Sequence, residues 1–390
     1  MSFALSEEQK LFRDSVNRFV TERYRFDESR ASIVAHYCVD RNNWHYFRDQ
    51  GWLALPLPEE FGGLGGSAID LGILMEAFGC GPVLEPYVPA VVVAGGLIAM
   101  LGTHEQKRRF LLPIADGAMI VALAHTERSA GEVIESVSTR ARRGPDGWIL
   151  DGKKTAIMGG YAANHLIVSA RVEGKDRDRG GIGLFLVGSG APGLTRVNYP
   201  TLDGGCGSDV ILSSVAIPTD ALLNGSTDAL SALELAYDHA NAALCAQTVG
   251  SAQMIVDMTL NHTRMRFQFG KPLAANQVIR HRLVDMSIAC IEARAAALHA
   301  ALSLADEPIF RSRAVSSAKW KVATSARFIA EQAVQLHGAM GCTEELALGR
   351  YYKSILAFEV LFGSPDRHLR RHAMLRNAAQ NMEISMGSVQ

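Results

Sequence analysis

The sequence predicts a mainly α-helical protein with a central β domain, and the hydrophobic periodicity of its 390 residues indicates this fold class. Apolar residues recur at helical spacing up to about residue 120, alternate with period two to about residue 220, and then return to helical spacing. We therefore predict three domains: a helical domain at residues 1–120, a β-barrel domain at 121–220 and a C-terminal four-helix bundle at 221–390.

The N-terminal domain carries the start and stop signals of helices. Ser6 followed by Gln9 forms a capping-box pattern, and Thr103 is placed as a second N-cap. Residues 58–66 hold so many glycines that they predict a loop. The helix that begins after Thr103 should end by Pro113, because proline has no backbone N–H to donate.

The central and C-terminal regions differ in pattern. Alternating segments separated by turn clusters predict strands at 148–152, 166–170, 182–187 and 210–217. Alanine-rich stretches at 289–305 and 314–338 have apolar residues on more than one face. Helices of that kind are buried on two sides, as in a bundle or an oligomer core.

Composition narrows the class of protein. A net charge of −1 and 20% charged residues are typical of an ordinary soluble globular protein and argue against a nucleic-acid binder. The six cysteines form no CxxC pair, so no metal or disulfide signature is present. Glu7 and Glu8 stand where a signal peptide needs an apolar core, and the apolar run 88–101 is too short to span a bilayer. We expect a cytoplasmic protein without membrane or nucleic-acid partners.

Several short motifs occur in one order along the chain. They are Pro58-Glu-Glu-Phe-Gly-Gly, Gly102-Thr-His-Glu-Gln-Lys107, Thr126-Glu127, Gly152-Lys-Lys-Thr155, Phe267-Gln-Phe-Gly-Lys271 and Gln335-Leu-His-Gly338. Together with the domain order they resemble the acyl-CoA dehydrogenase family over nearly the whole chain. The runs Ala124-His-Thr-Glu-Arg128, Phe362-Gly-Ser and Asp366-Arg-His-Leu369 look most like its small-subunit branch, which includes proteins similar to the pimeloyl-CoA dehydrogenase small subunit and to one chain of heteromeric steroid acyl-CoA dehydrogenases.

The resemblance implies the acyl-CoA dehydrogenase fold and an FAD-dependent oxidation of the Cα–Cβ bond of an acyl-CoA, as in β-oxidation. In this family a carboxylate removes the α-proton, the flavin accepts the β-hydride, and an electron-transfer flavoprotein or similar acceptor takes the electrons. The base works in a dry pocket because desolvation must raise its pKa towards that of a weakly acidic substrate.

Neither position that the family uses for this carboxylate holds one here. The two positions map to Phe362 and Ala240, and neither side chain can accept a proton. Four carboxylates remain open as replacements: Asp366, Glu359, Glu132 and Asp238. We expect His368 and His372 to be surface residues rather than catalysts.

The segment that faces the flavin is also altered. The family commonly has Lys-Thr-Trp-Ile-Thr-Asn-Gly, whereas this chain has Ala156 in place of the tryptophan and Met158 in place of the second threonine. Loss of the aromatic ring removes roughly 0.5–1.5 kcal/mol of stacking. Glu132 stands where the family has a serine, and its negative charge is unfavourable near phosphates.

The residues that the family offers to the cofactor elsewhere are retained. By the resemblance, the FAD-binding residues are Thr126, Arg266, Phe269, Gln277, Gln335, Gly338 and Gly341. An arginine fork suits the pyrophosphate, and glycines let backbone N–H groups approach oxygen atoms.

These features predict a base-lacking subunit that works with a homologous catalytic subunit in a heterotetramer and shares FAD with it. Two alternatives stay open at this point. One is a self-sufficient homotetrameric acyl-CoA dehydrogenase with a non-standard base, and the other is a flavin-free acyl-CoA-binding or scaffold protein. The sequence does not identify the acyl group.

Overall fold

The computed structural model describes residues 5–24, 39–81 and 83–387. These residues divide into two compact units, one from Met1–Val34, Ala68–Val83 and Asn241–Gln390, the other from Ala35–Ser67 and Leu84–Ala240. The order helices, sheet, helices confirms the predicted fold class. The exact domain bounds at residues 120 and 220 stay a prediction.

The N-terminal helices are α1 Glu7–Arg23, α2 Arg41–Asp49, α3 Ala68–Gly79, α4 Gly96–Leu101 and α5 His104–Ala115, with a π-helix at Val88–Gly95 leading into α4. Both predicted N-caps are present: the Ser6 and Thr103 hydroxyls accept hydrogen bonds from backbone N–H groups three residues later. Residues 58–66 form a loop with one short 3₁₀ turn, as predicted.

The predicted end of α5 at Pro113 is wrong, because the helix continues to Ala115 with Pro113 inside it. Pro113 has no backbone N–H to donate to the carbonyl of Arg109. Arg109 is exposed, so water can donate the missing hydrogen bond. Buried Leu111 and Ile114 hold the last turn against the core.

The middle of the chain is one seven-stranded sheet. Its strands are β1 Val121–Ala124, β2 Arg140–Gly144, β3 Gly147–Met158, β4 His165–Arg171, β5 Ile182–Gly188, β6 Leu194–Pro200 and β7 Cys206–Pro218. The order is β1-β4-β2-β3-β7-β6, with β5 also pairing with β4. Most pairs are antiparallel, and the sheet curls over a core that includes Trp148, Phe185 and Val210.

The C-terminal region is the predicted helical bundle. It contains α6 Leu230–Met265, the hairpin of β8 Phe267–Gln268 and β9 Lys271–Pro272, then α7 Gln277–Leu302, α8 Pro308–His337, α9 Leu348–Val360 and α10 Pro365–Gly387. Its core includes Ile255, Met286, Ile329 and Ile355. Helices α3 and α6 meet backbone to backbone, since a Cβ on Gly250 would lie 2.0 Å from the Glu76 carbonyl oxygen.

One helical segment of the described chain, Gln277–Ala305, is long and apolar enough to cross a membrane, with a mean hydropathy of 1.4. The most apolar 18 residues of this segment are 44% buried inside the structure. Core helices of other proteins meet the same criteria of length and hydropathy. The run Val88–Leu101 is a shorter apolar helix, as the sequence predicts. The cysteines within the described residues are free thiols, while Cys38 lies outside those residues.

Candidate functional site

A buried ion pair fixes the two segments of the β domain that the sequence assigns to the flavin. Lys154 Nζ lies 2.7 Å from Glu127 Oε1, and both side chains are almost fully buried. Lys154 also donates to Ser169 Oγ at 2.9 Å. Burial would raise the pKa of Glu127, but the charge and hydrogen bonds of Lys154, with those of Ser138 and Thr139, outweigh it and lower the pKa to about 2. Burial lowers the pKa of Lys154 to about 8, which still leaves both partners charged at neutral pH.

This ion pair positions Thr126. Thr126 is exposed and lies between buried His125 and Glu127, and its carbonyl accepts a hydrogen bond from Thr155 N at 2.8 Å. Thr155 follows Lys154, so the pair holds both threonine-bearing segments at one edge of the domain. The sequence shows both motifs but does not predict the ion pair, because its two residues lie 27 positions apart in different motifs.

Ala156, where the resemblance expects a tryptophan, lies in a strand irregularity. Its φ is +52°, a left-handed conformation that costs an L-residue about 1–2 kcal/mol. Asp209 accepts a hydrogen bond from Ala156 N at 3.2 Å and another from the Tyr199 hydroxyl at 3.0 Å. The backbone that would present an aromatic ring is thus held in place, but it carries only a methyl group. Met158 is half-buried and Glu132 is exposed.

In the C-terminal bundle, the connection between α9 and α10 is tightly held. Phe362 has a φ of +54°, and its carbonyl accepts hydrogen bonds from His368 Nε2 at 3.0 Å and from Asn241 Nδ2 at 3.3 Å. Lys319 Nζ donates to the carbonyls of Phe358 at 2.6 Å and Leu361 at 2.9 Å. Three side chains therefore fix the backbone on both sides of the Phe362 side chain, which is half-buried and not part of the core.

The expected surface position of His368 is wrong: the side chain is buried, with 3% exposure. Burial lowers the pKa of His368 to about 4, so the imidazole is neutral at physiological pH. Because the Phe362 carbonyl can only accept, Nε2 carries the proton, and Nδ1 accepts from the Ser316 hydroxyl at 3.2 Å. His372 is half-buried, and its Nδ1 lies 3.1 Å from the carbonyl of Arg313.

Lys319 is fully buried directly beneath this connection. Its ammonium lies 3.6 Å from the centre of the Phe358 ring, and burial lowers its pKa to about 7. Its two carbonyl acceptors belong to the last turn of α9 and to the residue after it, where a cation complements the helix dipole. Sequence reasoning gave this lysine no role because it lies 39 residues from its first acceptor.

The possible replacement bases are held in different ways. Glu359 forms a two-pronged ion pair with Arg327, with 2.7 Å between Glu359 Oε1 and Arg327 Nε, so its carboxylate is already engaged. Asp366 is exposed in the first turn of α10, and Asp238 is fully buried on α6. Ala240, the other family position, is fully buried with only a methyl group to offer.

The remaining predicted cofactor residues lie on two elements of the bundle, which we call the clamp: the hairpin at 266–277 and the segment at 335–341. Phe269 and Gly270 form the two-residue hairpin turn with φ values of +53° and +79°, and Phe269 is 100% exposed. Arg266 and Gln277 are also exposed.

The second clamp element consists of the last turn of α8 and the 3₁₀ turn that follows it. Gln335 and Gly338 are exposed, and Gly338 has a φ of +64°. Gly341 is buried, and a Cβ there would lie 3.1 Å from the Cβ of His337. The rings of His262 and His337 stack with centroids 4.2 Å apart, which brings the two clamp elements together. Thr126 belongs to the other compact unit, so the structure does not group it with the clamp.

Comparison with known proteins identifies the family of this chain. The acyl-CoA dehydrogenase N-terminal, middle and C-terminal domain profiles match residues 6–118, 122–209 and 230–375. The chain belongs to the acyl-CoA dehydrogenase family. A Bacillus subtilis relative named "Probable acyl-CoA dehydrogenase YngJ" is 28% identical over 94% of this chain and 97% of its own length.

Two solved structures are similar to this chain over nearly its whole length. The Tcur3481–Tcur3483 steroid acyl-CoA dehydrogenase variant is 27% identical, with a TM-score of 0.84 over 98% of this chain and 99% of its own. The ChsE4–ChsE5 complex from Mycobacterium tuberculosis is 24% identical, with a TM-score of 0.85 over 96% and 98%, and shows the shared fold.

FAD is the cofactor of the acyl-CoA dehydrogenase family, and the residues of this chain fit its two ends unequally. The clamp fits the adenosine diphosphate end, because it offers the exposed guanidinium of Arg266 and the exposed ring of Phe269. It also has free space beside Gly338, where a Cβ would meet nothing within 4 Å. The isoalloxazine end has Thr126 and Thr155 but no aromatic ring at Ala156.

Proposed function

We propose that this chain is the base-lacking subunit of a heterotetrameric, FAD-dependent acyl-CoA dehydrogenase. The observation that carries the proposal is Phe362, a hydrocarbon side chain on a backbone that Lys319, His368 and Asn241 hold in place. A phenyl ring cannot remove a proton, and the methyl group of Ala240 cannot either. The homologous partner subunit supplies the carboxylate.

In this reading the chain contributes the clamp to an FAD site that it shares with the partner. Arg266 would hold the pyrophosphate with its guanidinium fork, Phe269 would contact the nucleotide from the hairpin tip, and the glycine at Gly338 would let the backbone lie close to it. Bound FAD would supply the acceptor for the hydride of the substrate β-carbon. The substrate is an acyl-CoA, and the electrons pass to an electron-transfer flavoprotein or a similar acceptor.

The exposed apolar side chains support a partner subunit. Phe269 is fully exposed, and Val278, Val284, Ile288 and Ile291 on α7 are each at least half exposed. Of these, Val284, Ile288 and Ile291 recur at helical spacing on one face of α7, and an exposed apolar helix face is typical of a surface that another protein covers. The related Tcur3481–Tcur3483 steroid acyl-CoA dehydrogenase bears the names of two proteins, and we propose that this chain likewise pairs with a second chain, in the cytoplasm.

Co-expression with a homologous chain that has glutamate at the position equivalent to Phe362 tests the proposal. We expect a complex with two copies of each chain, two FAD and turnover of acyl-CoA with an artificial electron acceptor. Glutamate to glutamine in the partner is the matched control, which should retain assembly and flavin but lose turnover. An active homotetramer of this chain alone would support the self-sufficient enzyme instead, and absence of flavin in every form would support a flavin-free binder.

A further inference from the structure

Two histidines join the clamp elements, and neither has a role in the function proposed above. His262 lies in the last turn of α6, and His337 is the last residue of α8. Their rings are 28° from parallel with centroids 4.2 Å apart. His337 is buried and His262 half-buried. We call this pair the histidine stack.

We propose that the histidine stack is a positioning pair that holds the hairpin at 266–277 and the segment at 335–341 in register, so that both contact one nucleotide diphosphate. The inference rests on the proposed clamp and adds the device that aligns its two halves. Neither histidine touches the cofactor in this account.

On the α6 side, backbone bonds connect the stack to Arg266. Arg266 N donates to the carbonyl of His262 at 2.9 Å, and the carbonyl of Arg266 accepts from Leu273 N at 2.9 Å. The first bond attaches Arg266 to the turn that carries His262, and the second closes the base of the hairpin. A shift of the His262 ring therefore moves the point from which the guanidinium projects.

On the α8 side, packing connects the stack to Gly341. His337 Nδ1 lies 2.8 Å from the carbonyl of Ala333, so Nδ1 donates and the ring orientation is fixed. Gly341 packs against the same residue so closely that a Cβ would lie 3.1 Å from the His337 Cβ and 3.0 Å from the Val334 carbonyl oxygen. His337 also directly precedes Gly338, which ends the helix.

Charge does not oppose the stack at neutral pH. Burial lowers the pKa of both histidines, and for His262 the neighbouring His337 and Arg266 lower it further. Two neutral rings can lie face to face in an offset arrangement without the repulsion that two imidazolium ions would have. The pair therefore behaves as an aromatic contact under assay conditions near pH 7.

The test measures FAD affinity of the FAD-free complex by titration, with the thermal midpoint measured in parallel. His262→Ala should weaken FAD binding about 3- to 10-fold, the range expected for loss of an aromatic pair. His262→Phe should restore affinity to within about twofold, because the ring is kept. Asn261→Ala, a change at the exposed neighbour, is the control and should leave affinity unchanged.

A double-variant cycle separates positioning from general stability. If the two rings act as one unit, the double variant that combines His262→Ala and His337→Ala should bind FAD as tightly as the weaker-binding of the two single variants. Equal FAD affinity of wild type and His262→Ala, with only the thermal midpoint lowered, would overturn the inference while leaving the proposed function intact. If wild-type complex binds no FAD at all, the proposed function itself fails.

Discussion

At the scale of single residues, Phe362 carries the proposal that this chain is not a self-sufficient acyl-CoA dehydrogenase. The absence of a carboxylate at this position can be predicted from the sequence alone, because the chemistry of a side chain does not depend on coordinates. It did not predict the polar contacts around Phe362, since Lys319 lies 42 residues and Asn241 121 residues from their carbonyl acceptors. The burial of His368 is not predictable for a related reason. Its neighbours in the sequence are mostly arginines, which are typical of a surface position, and only the structure shows that the histidine is buried.

Restoring a carboxylate should not restore chemistry in the chain alone. Phe362→Glu places a base on a backbone that is already fixed, but Ala156 still leaves the flavin without its aromatic contact. Positioning of the reactants is worth several kcal/mol, about 7–11 in the best cases. We expect no reduction of an artificial acceptor by this variant with added FAD and linear, dicarboxylic or steroid acyl-CoAs. Phe362→Gln is the matched control, and turnover confined to the glutamate variant would refute the prediction.

His368 should make stability depend on pH. Its pKa is about 4 in the folded chain against an ordinary 6.5, so unfolding takes up a proton between these values. The free energy of unfolding should therefore fall as the pH falls from 6.5 to 4, by at most about 1.4 kcal/mol per pH unit, the limit for one proton. His368→Gln, whose amide can still donate to the Phe362 carbonyl, should show a shallower slope in denaturant unfolding. Identical slopes for both proteins would contradict the assignment.

At the scale of elements, periodicity and capping signals predicted most of the helices, and four of the strands, correctly. The sequence does not indicate strands β2 and β6, because three of the five residues of Arg140–Gly144 are arginines and Leu194–Pro200 alternates only weakly. Strand β1 is only four residues long, too short to show a period. The extension of α5 through Pro113 depends on which side of the helix faces solvent, which is a tertiary property.

The clamp hairpin gives a prediction at this scale. Arg266 is exposed and its side chain has no part in the core, so Arg266→Ala should leave the fold intact. It should lower the FAD affinity of the complete complex by roughly 2–5 kcal/mol, the usual cost of truncating one member of a charge-assisted contact. Arg264→Ala removes the same charge from an exposed position two residues earlier and serves as the control. Equal flavin content in the two variants would identify Arg266 as an ordinary surface residue.

At the scale of the whole molecule, the chain carries the three domains of its family, and we propose that it forms only part of a flavin site. The residues of the predicted clamp are present, with Phe269 exposed, whereas Ala156 and Phe362 stand where the family has an aromatic ring and a base. Fold and family could be predicted from the sequence because motifs and period extend over the whole chain. The proposed pairing with a second subunit depends on a contact surface that the sequence of one chain does not identify.

The most direct test of this division is the flavin content and activity of the chain purified alone, compared with the chain purified with its homologous partner. Absorbance near 450 nm measures bound flavin per chain, and reduction of an artificial acceptor by acyl-CoA measures turnover. We predict little or no flavin and no turnover for the chain alone, and both for the complex. A single-chain preparation that retains about one tightly bound FAD per subunit and oxidises acyl-CoA would contradict the account.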